Sequence, residues 1–205
     1  MVVFANEQNS FFCILQSRIH EIWTRFFGST LEDRLRYTPS DCFETFPFPE
    51  EWEKNEKLEE AGKKYYEYRA ELMVKNNQGL TQTYNRFHDP DEYDSDILKL
   101  RSLHTEMDKA VLTAYGWEDI STDCEYLLDY EEEEEENSKG RGKKKPYRYR
   151  YPEATHDEIL ARLLELNQTR SESEILGGKT ANKKSKPAAK KGKKKTDIGL
   201  SIPGL

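Results

Sequence analysis

Cysteine is scarce in this 205-residue chain: Cys13, Cys42 and Cys124 are few, odd in number and far apart. That spacing fits reduced thiols and speaks against both a disulfide framework and a zinc cluster. No run of 18 apolar residues occurs, so no segment is predicted to span a membrane. The opening "MVVFANEQNSFF" lacks the basic first segment of a secretory signal, and the expected location is cytoplasmic. There is no Gly-rich phosphate loop, no nucleophile elbow and no HExxH, which removes the commonest phosphotransfer, acyl-transfer and metalloprotease signatures. Hydrophobic residues are also in short supply, at 35%, matched by 35% charged residues. One domain with appendages is the organisation that such a composition favours.

The charge that is present is segregated. Lys139 to Tyr151 and Lys179 to Lys195 carry 7 and 9 basic residues with no acids, which leaves 16 basic residues against 39 acidic ones elsewhere, behind a whole-chain net charge of −7. Blocks of one sign are solvated, and basic ones often meet nucleic acid.

Hydrophobic periodicity outlines a helical protein. "VVFAN" at Val2 to Asn6 reads as a short β-type run, followed by a helix carrying Phe12, Leu15, Ile19, Ile22, Trp23, Phe26 and Phe27 and stopped at Gly28. In "RYTPSDCFETFPFP", Thr38, Pro39 and Asp41 stand where an N-cap, a first-turn proline and a capping acid belong. They open a one- or two-turn helix, which Phe46-Pro47-Phe48-Pro49 ends. Further helices are predicted from about Trp52 to Val74, over Ile97 to Ala114 behind an Asp94-Ser95 cap, and from Glu118 to Tyr130. Glu131 to Glu136 is six like charges, a solvated linker. Tyr147, Tyr149 and Tyr151 alternate with Arg148 and Arg150 as a strand does, and a capping box at Thr155 to Glu158 opens a last helix. From about Ser171 the chain is low-complexity, basic and poor in large apolar groups, the composition of a disordered tail.

Chemistry-bearing residues are sparse. His88 and Asp89, beside Asp91 and Glu92, can be read as a metal or acid/base site or as a turn initiated by Asp-Pro, and the turn is the plainer reading. His20, His104 and His156 fall within helical patterns and read as partly exposed helix residues. The Tyr/Arg alternation has two readings: arginines on phosphates with tyrosines stacked on bases, or a strand with a tyrosine face on a core and an arginine face in water. The lysine tail is a non-specific polyanion binder or a plain solubilising tail. Candidate nucleic-acid contacts are therefore Arg36, Arg148 and Arg150, the cluster Lys143, Lys144 and Lys145, and the tail residues Lys190, Lys191, Lys193, Lys194 and Lys195.

Five segments in order, "LQSRIHEIWTRFF", "RYTPSDCFETFPFP", "YYEYRAELM", "GLTQTYNRFHDPDE" and "LHTEMDKAVLTAYGWEDI", carry a resemblance. Over roughly residues 1–170 the chain resembles the C-terminal portion of large adenine-specific DNA methyltransferases of restriction-modification systems, the type IIG and MmeI-like group. In that family a Rossmann-like domain binds S-adenosylmethionine and a following target-recognition domain chooses the DNA sequence. The resemblance implies that "RYTPSDCFETFPFP" closes a recognition domain ahead of a helical extension. The N-P-P-Y/F motif and the cofactor loop are absent here, so no catalytic or cofactor-binding residue is carried over, and S-adenosylmethionine would bind a methyltransferase domain that this chain lacks. The expected fold is mainly α with minor β. The segments are the end of a recognition domain (1–49), a helical extension (50–130), a charged linker (131–145), a Tyr/Arg strand with a helix (146–170) and a disordered lysine-rich tail (171–205). The implied function is non-catalytic DNA binding or specificity on double-stranded DNA, with a separately encoded methyltransferase as a further partner. The alternatives are a helical module docking on such an enzyme, or the inactive remnant of a truncated gene.

Overall fold

A computed structural model describes residues 4–31, 34–128 and 147–176. Among them are seven α-helices and two two-stranded antiparallel sheets, so the fold is mainly helical with a little β-structure. The chain divides into two units, residues 1–170 and 171–205.

The first amphipathic pattern forms two helices where one was predicted: α1 (Asn9–Gln16) and α2 (Arg18–Phe27). Ser17 causes the break. Its backbone is extended, and its hydroxyl donates back to Ile14 O at 2.7 Å while accepting from His20 N at 3.3 Å, ending one helix and capping the next. The β-type run predicted at Val2 to Asn6 is not a strand where it is described: Phe4 to Gln8 have no regular structure, and Phe4 packs on Phe11 and Phe43 instead. Strands β1 (Ser29–Leu31) and β2 (Arg34–Arg36) pair with Ser29 opposite Arg36. Then α3 (Pro39–Cys42) opens with its proline in the first turn as predicted, although the Thr38 side chain makes no capping bond.

A 3-10 turn (Trp52–Lys54) leads into α4 (Glu56–Lys75), which Asn55 caps by accepting from Lys57 N and Leu58 N. Leu58, Gly62, Tyr65 and Leu72 form its buried stripe. Asn77, at φ 50°, turns the chain in the left-handed region. The sequence pattern missed α5 (Leu80–Phe87), whose eight residues bury only Thr83 and Phe87, too few for a periodic signal. Helix α6 (Ser95–Tyr115) begins at the predicted Asp94 cap and ends at Gly116, whose φ of 75° favours glycine.

The helix predicted at Glu118 to Tyr130 does not form. Glu125–Leu128 is strand β3, paired with β4 (Tyr147–Arg150) in the register Glu125 to Arg150 and Leu128 to Tyr147. The Tyr/Arg strand supplies a ladder partner, and cross-strand pairing overrides a weak helical preference. Helix α7 (Glu153–Leu176) starts at Glu153, directly after Pro152, and not at the predicted Thr155 box, because the Pro152 carbonyl takes the His156 N–H. It continues to Leu176, past the boundary expected at residue 170. The acidic run, the lysine cluster at 143–145 and the tail from 177 lie outside the described residues.

One core receives side chains from α1, α2, α4, α5, α6 and α7. Trp23, Leu58, Tyr65, Phe87, Ile97, Ile159 and Leu163 are all fully buried in it.

Candidate functional site

The centre of the molecule is polar. His104 and Asp108 stand one turn apart on the core face of α6, and Asp108 is wholly buried. A buried carboxylate needs a counter-charge, and Arg18, 4% exposed at the start of α2, provides it. Arg18 Nη1 lies 2.6 Å from Asp108 Oδ2, and Arg18 N donates to Asp108 Oδ1 at 2.9 Å. Tyr151 Oη donates to Asp108 Oδ2 at 3.0 Å, and Arg18 Nη1 also lies 2.9 Å from His104 Nδ1. The guanidinium is enclosed by Phe87, Tyr149 and Tyr151. Burial alone raises the Asp108 pKa, but Arg18, then His104, outweigh it and hold the carboxyl at about 2.

His20 and His104, expected to be partly exposed, are both buried. Burial lowers the His20 pKa to about 4 and that of His88 to about 3, the nearby Arg148 charge adding to the second shift. His104 is likewise lowered by burial first and then by Arg18. All three imidazoles are therefore neutral at pH 7.

Around this centre "RYTPSDCFETFPFP" is fastened on several sides. Phe46 sits edge-on to His20, with ring centroids 4.6 Å apart, and against Trp23 at 6.0 Å. Phe43 and Phe48 pack on Phe11 of α1. Phe26, predicted to belong to this packing face, is instead 54% exposed. Prolines deprive the segment of ladder bonds, and distant side chains take its carbonyls: Tyr115 Oη donates to Pro47 O at 2.9 Å and Arg170 Nη1 to Phe48 O at 2.6 Å. Trp23 Nε1 donates to Thr45 Oγ1, and Asn167 Nδ2 to Thr45 O. Truncating Phe46 to alanine is expected to destabilise the fold by about 3 to 5 kcal/mol, read as a lower denaturant midpoint at unchanged slope.

The "HDPDE" turn is structural in its geometry. Buried Arg101 gathers four main-chain carbonyls: Phe87 O at 2.9 Å, Glu92 O at 2.9 Å, Arg86 O at 3.1 Å and Asp89 O at 2.8 Å. His88 Nδ1 accepts from Tyr149 N at 3.0 Å, and Glu92 pairs with Arg86 at 2.7 Å. Of the groups the metal reading would have used, His88 and Glu92 are thereby engaged in holding the turn, and the Asp89 carboxylate accepts from Asp91 N within it.

Of the predicted contact residues, Arg148 and Arg150 lie on β4, half-buried, with Arg150 Nη2 donating to Leu128 O at 3.2 Å. Tyr149 packs on Phe87 and Tyr126 and Tyr151 is buried, so these two tyrosines turn to the core while Tyr147 is exposed. Arg36 ends β2, and its side chain lies outside the described residues, as do Lys143, Lys144, Lys145, Lys190, Lys191, Lys193, Lys194 and Lys195. Sequence reading missed Arg18, Arg101 and Asp108. The available signal was a pair of polar residues, His104 and Asp108, on the apolar stripe marked by Leu100, Met107 and Val111.

Beside the Arg18 centre is a cavity of about 230 Å³, walled by the first turn of α2 with Tyr37, Tyr84, Phe87, His88, His104 and Tyr149.

Residues 1–50 match the family model of the MmeI target recognition domain, consistent with an MmeI-like type IIG target-recognition region. A domain of that description points to DNA-sequence recognition in a restriction-modification context. No curated protein and no solved structure matches the chain.

Proposed function

We propose that this chain supplies the end of a target-recognition region and a helical extension to an MmeI-like adenine methyltransferase system, and that it acts on double-stranded DNA without carrying out the chemistry. The recognition-domain match over residues 1–50 carries this reading. The matched segment ends just after Phe46-Pro47-Phe48-Pro49, whose carbonyls are held by Tyr115 of α6 and Arg170 of α7. In this reading the extension keeps the recognition segment in shape, and S-adenosylmethionine binds a separately encoded methyltransferase chain.

The DNA contacts are assigned to Arg36, Arg148, Arg150 and the lysine clusters at 143–145 and 190–195. Phosphate contacts position a protein on the duplex, and base contacts specify the sequence. If the lysines dominate, deleting residues 179–195 weakens binding to any duplex and flattens its salt dependence, by roughly 0.9 in log-log slope for each neutralised phosphate lost. An unchanged slope assigns the contacts to Arg148, Arg150 and the folded part.

The test of function adds the chain to a methyltransferase fragment lacking its C-terminal portion and measures adenine methylation of plasmid DNA. Rescue by the wild-type chain, lost with Phe46→Ala, is the expected result. Failure of the chain to associate with such a fragment or with DNA overturns the reading.

A further inference from the structure

Strand β4 has a single strand neighbour, β3, and the amide and carbonyl of Tyr149 on its other edge need partners from elsewhere. Two side chains take those groups. His88 Nδ1 accepts from Tyr149 N at 3.0 Å, and Arg18 Nε donates to Tyr149 O at 3.4 Å. A third fastening lies one residue past the strand, where Tyr151 Oη donates to Asp108 Oδ2 at 3.0 Å. A two-stranded ribbon is marginal by itself, and these contacts give β4 the support that a third strand would supply.

The chemistry of the two partners suits the task. Only an unprotonated ring nitrogen accepts from an amide N–H, and burial keeps His88 neutral. Arg18 can only donate, which matches the carbonyl, and Asp108 fixes its own position. Arg18 also stands inside the segment that matches the recognition-domain model, so its contact ties that segment directly to β4.

Side chains alternate along a strand, which puts Arg148 and Arg150 on the face opposite Tyr149. Arg150 lines one cleft with Glu21 and Arg25 of α2, which belong to the matched segment as well. A charge meets a phosphate at lower entropic cost when its strand is already in place.

We propose that His88 and Arg18 are positioning residues: they hold Arg148 and Arg150 in a fixed relation to the recognition segment, so that both arginines meet phosphates of a DNA backbone without prior ordering of the strand. The inference rests on the reading that these arginines contact DNA and adds what sets their place.

The full chain is titrated with one duplex at several salt concentrations, as the wild type, His88→Asn, His88→Phe and the double variant Arg148→Gln/Arg150→Gln. Asparagine sets an accepting oxygen near the place of Nδ1, whereas phenylalanine keeps a ring and loses the acceptor. The double variant is expected to flatten the log-log salt slope by about 1.8, roughly 0.9 for each of two phosphates. His88→Phe should flatten it by a similar amount and add nothing when combined with the glutamines, while His88→Asn keeps the wild-type slope. A purely structural defect lowers the amount of complex and leaves the slope alone, so an unchanged slope in folded His88→Phe overturns the inference. Amide exchange of the wild type decides the matter if that variant does not fold. Tyr149 N–H should be as protected without DNA as with it, and a Tyr149 amide that exchanges freely until duplex is added overturns the inference. Duplex binding whose slope the two glutamines do not change overturns it too, and leaves DNA binding to other residues. No binding of duplex by the wild type overturns both readings.

Discussion

Asp108→Ala is expected to destabilise the protein by about 3 to 5 kcal/mol, because it strands the Arg18 guanidinium in the core with its counter-charge gone. Three further groups lose partners at the same time: Arg18 N, Tyr151 Oη and the His104 ring. The measurement is chemical denaturation at pH 7, and a change below 1 kcal/mol would contradict the geometry. Acid titration supplies a second check. His20 and His88 have folded pKa values near 4 and 3, below the ordinary 6.5, so the neutral forms stabilise the fold above about pH 6.5 and that contribution is lost as pH falls toward 3. Asp108, held at about 2, contributes stability above roughly pH 4 that is lost between about pH 4 and 2. The wild-type protein should therefore weaken in two stages as acid is added. The alanine variant should keep the histidine stage and lose the part of the lower one that Asp108 supplies.

Gly62→Ala is the second large effect, and it concerns a single methyl group. A Cβ at residue 62 would lie 2.1 Å from Asn9 O and 3.0 Å from Cys13 Cβ, where α4 crosses α1. Backbone cannot yield as a side chain can, so the two helices must separate along their whole contact. Alanine normally favours a helix by roughly 1 kcal/mol over glycine. Here the overpacking is expected to reverse that sign, with a net loss of about 3 kcal/mol or more. A thermal or denaturant midpoint equal to or above the wild-type value would show that the crossing is looser than described. The same separation would disturb Glu59, whose carboxylate accepts from Asn9 Nδ2 and Ser10 N at 2.7 Å each.

Much of the secondary structure was legible because it follows from local chemistry. The Asp94 cap and the Pro39 first turn are short-range devices, and each stands where the sequence places it. The break at Ser17 was not legible, since a serine inside an apolar period is compatible with one continuous helix until its hydroxyl is seen turned to both neighbours. Glu125–Leu128 read as helix because its partner strand lies beyond an 18-residue interval, and pairing across such a distance leaves no local trace. The polar centre was hidden for a similar reason. Arg18, His104, Asp108 and Tyr151 are each ordinary in their own windows, and only their convergence makes a site.

By itself the sequence determined the helical class, the Asp94 cap of α6, the segregation of charge, the absence of methyltransferase motifs and the resemblance that the match over residues 1–50 bears out. All of these depend on residue type and short spacing, which a linear chain displays in full. Tertiary structure alone decided that α7 fastens "FPFP" through contacts 122 residues apart, that Gly62 is a crossing point, and that a buried ion pair stands beside a cavity of about 230 Å³. Those features exist only once burial has removed water, because desolvation is what makes an arginine require its aspartate, a carbonyl require its donor and a glycine require its missing methyl group.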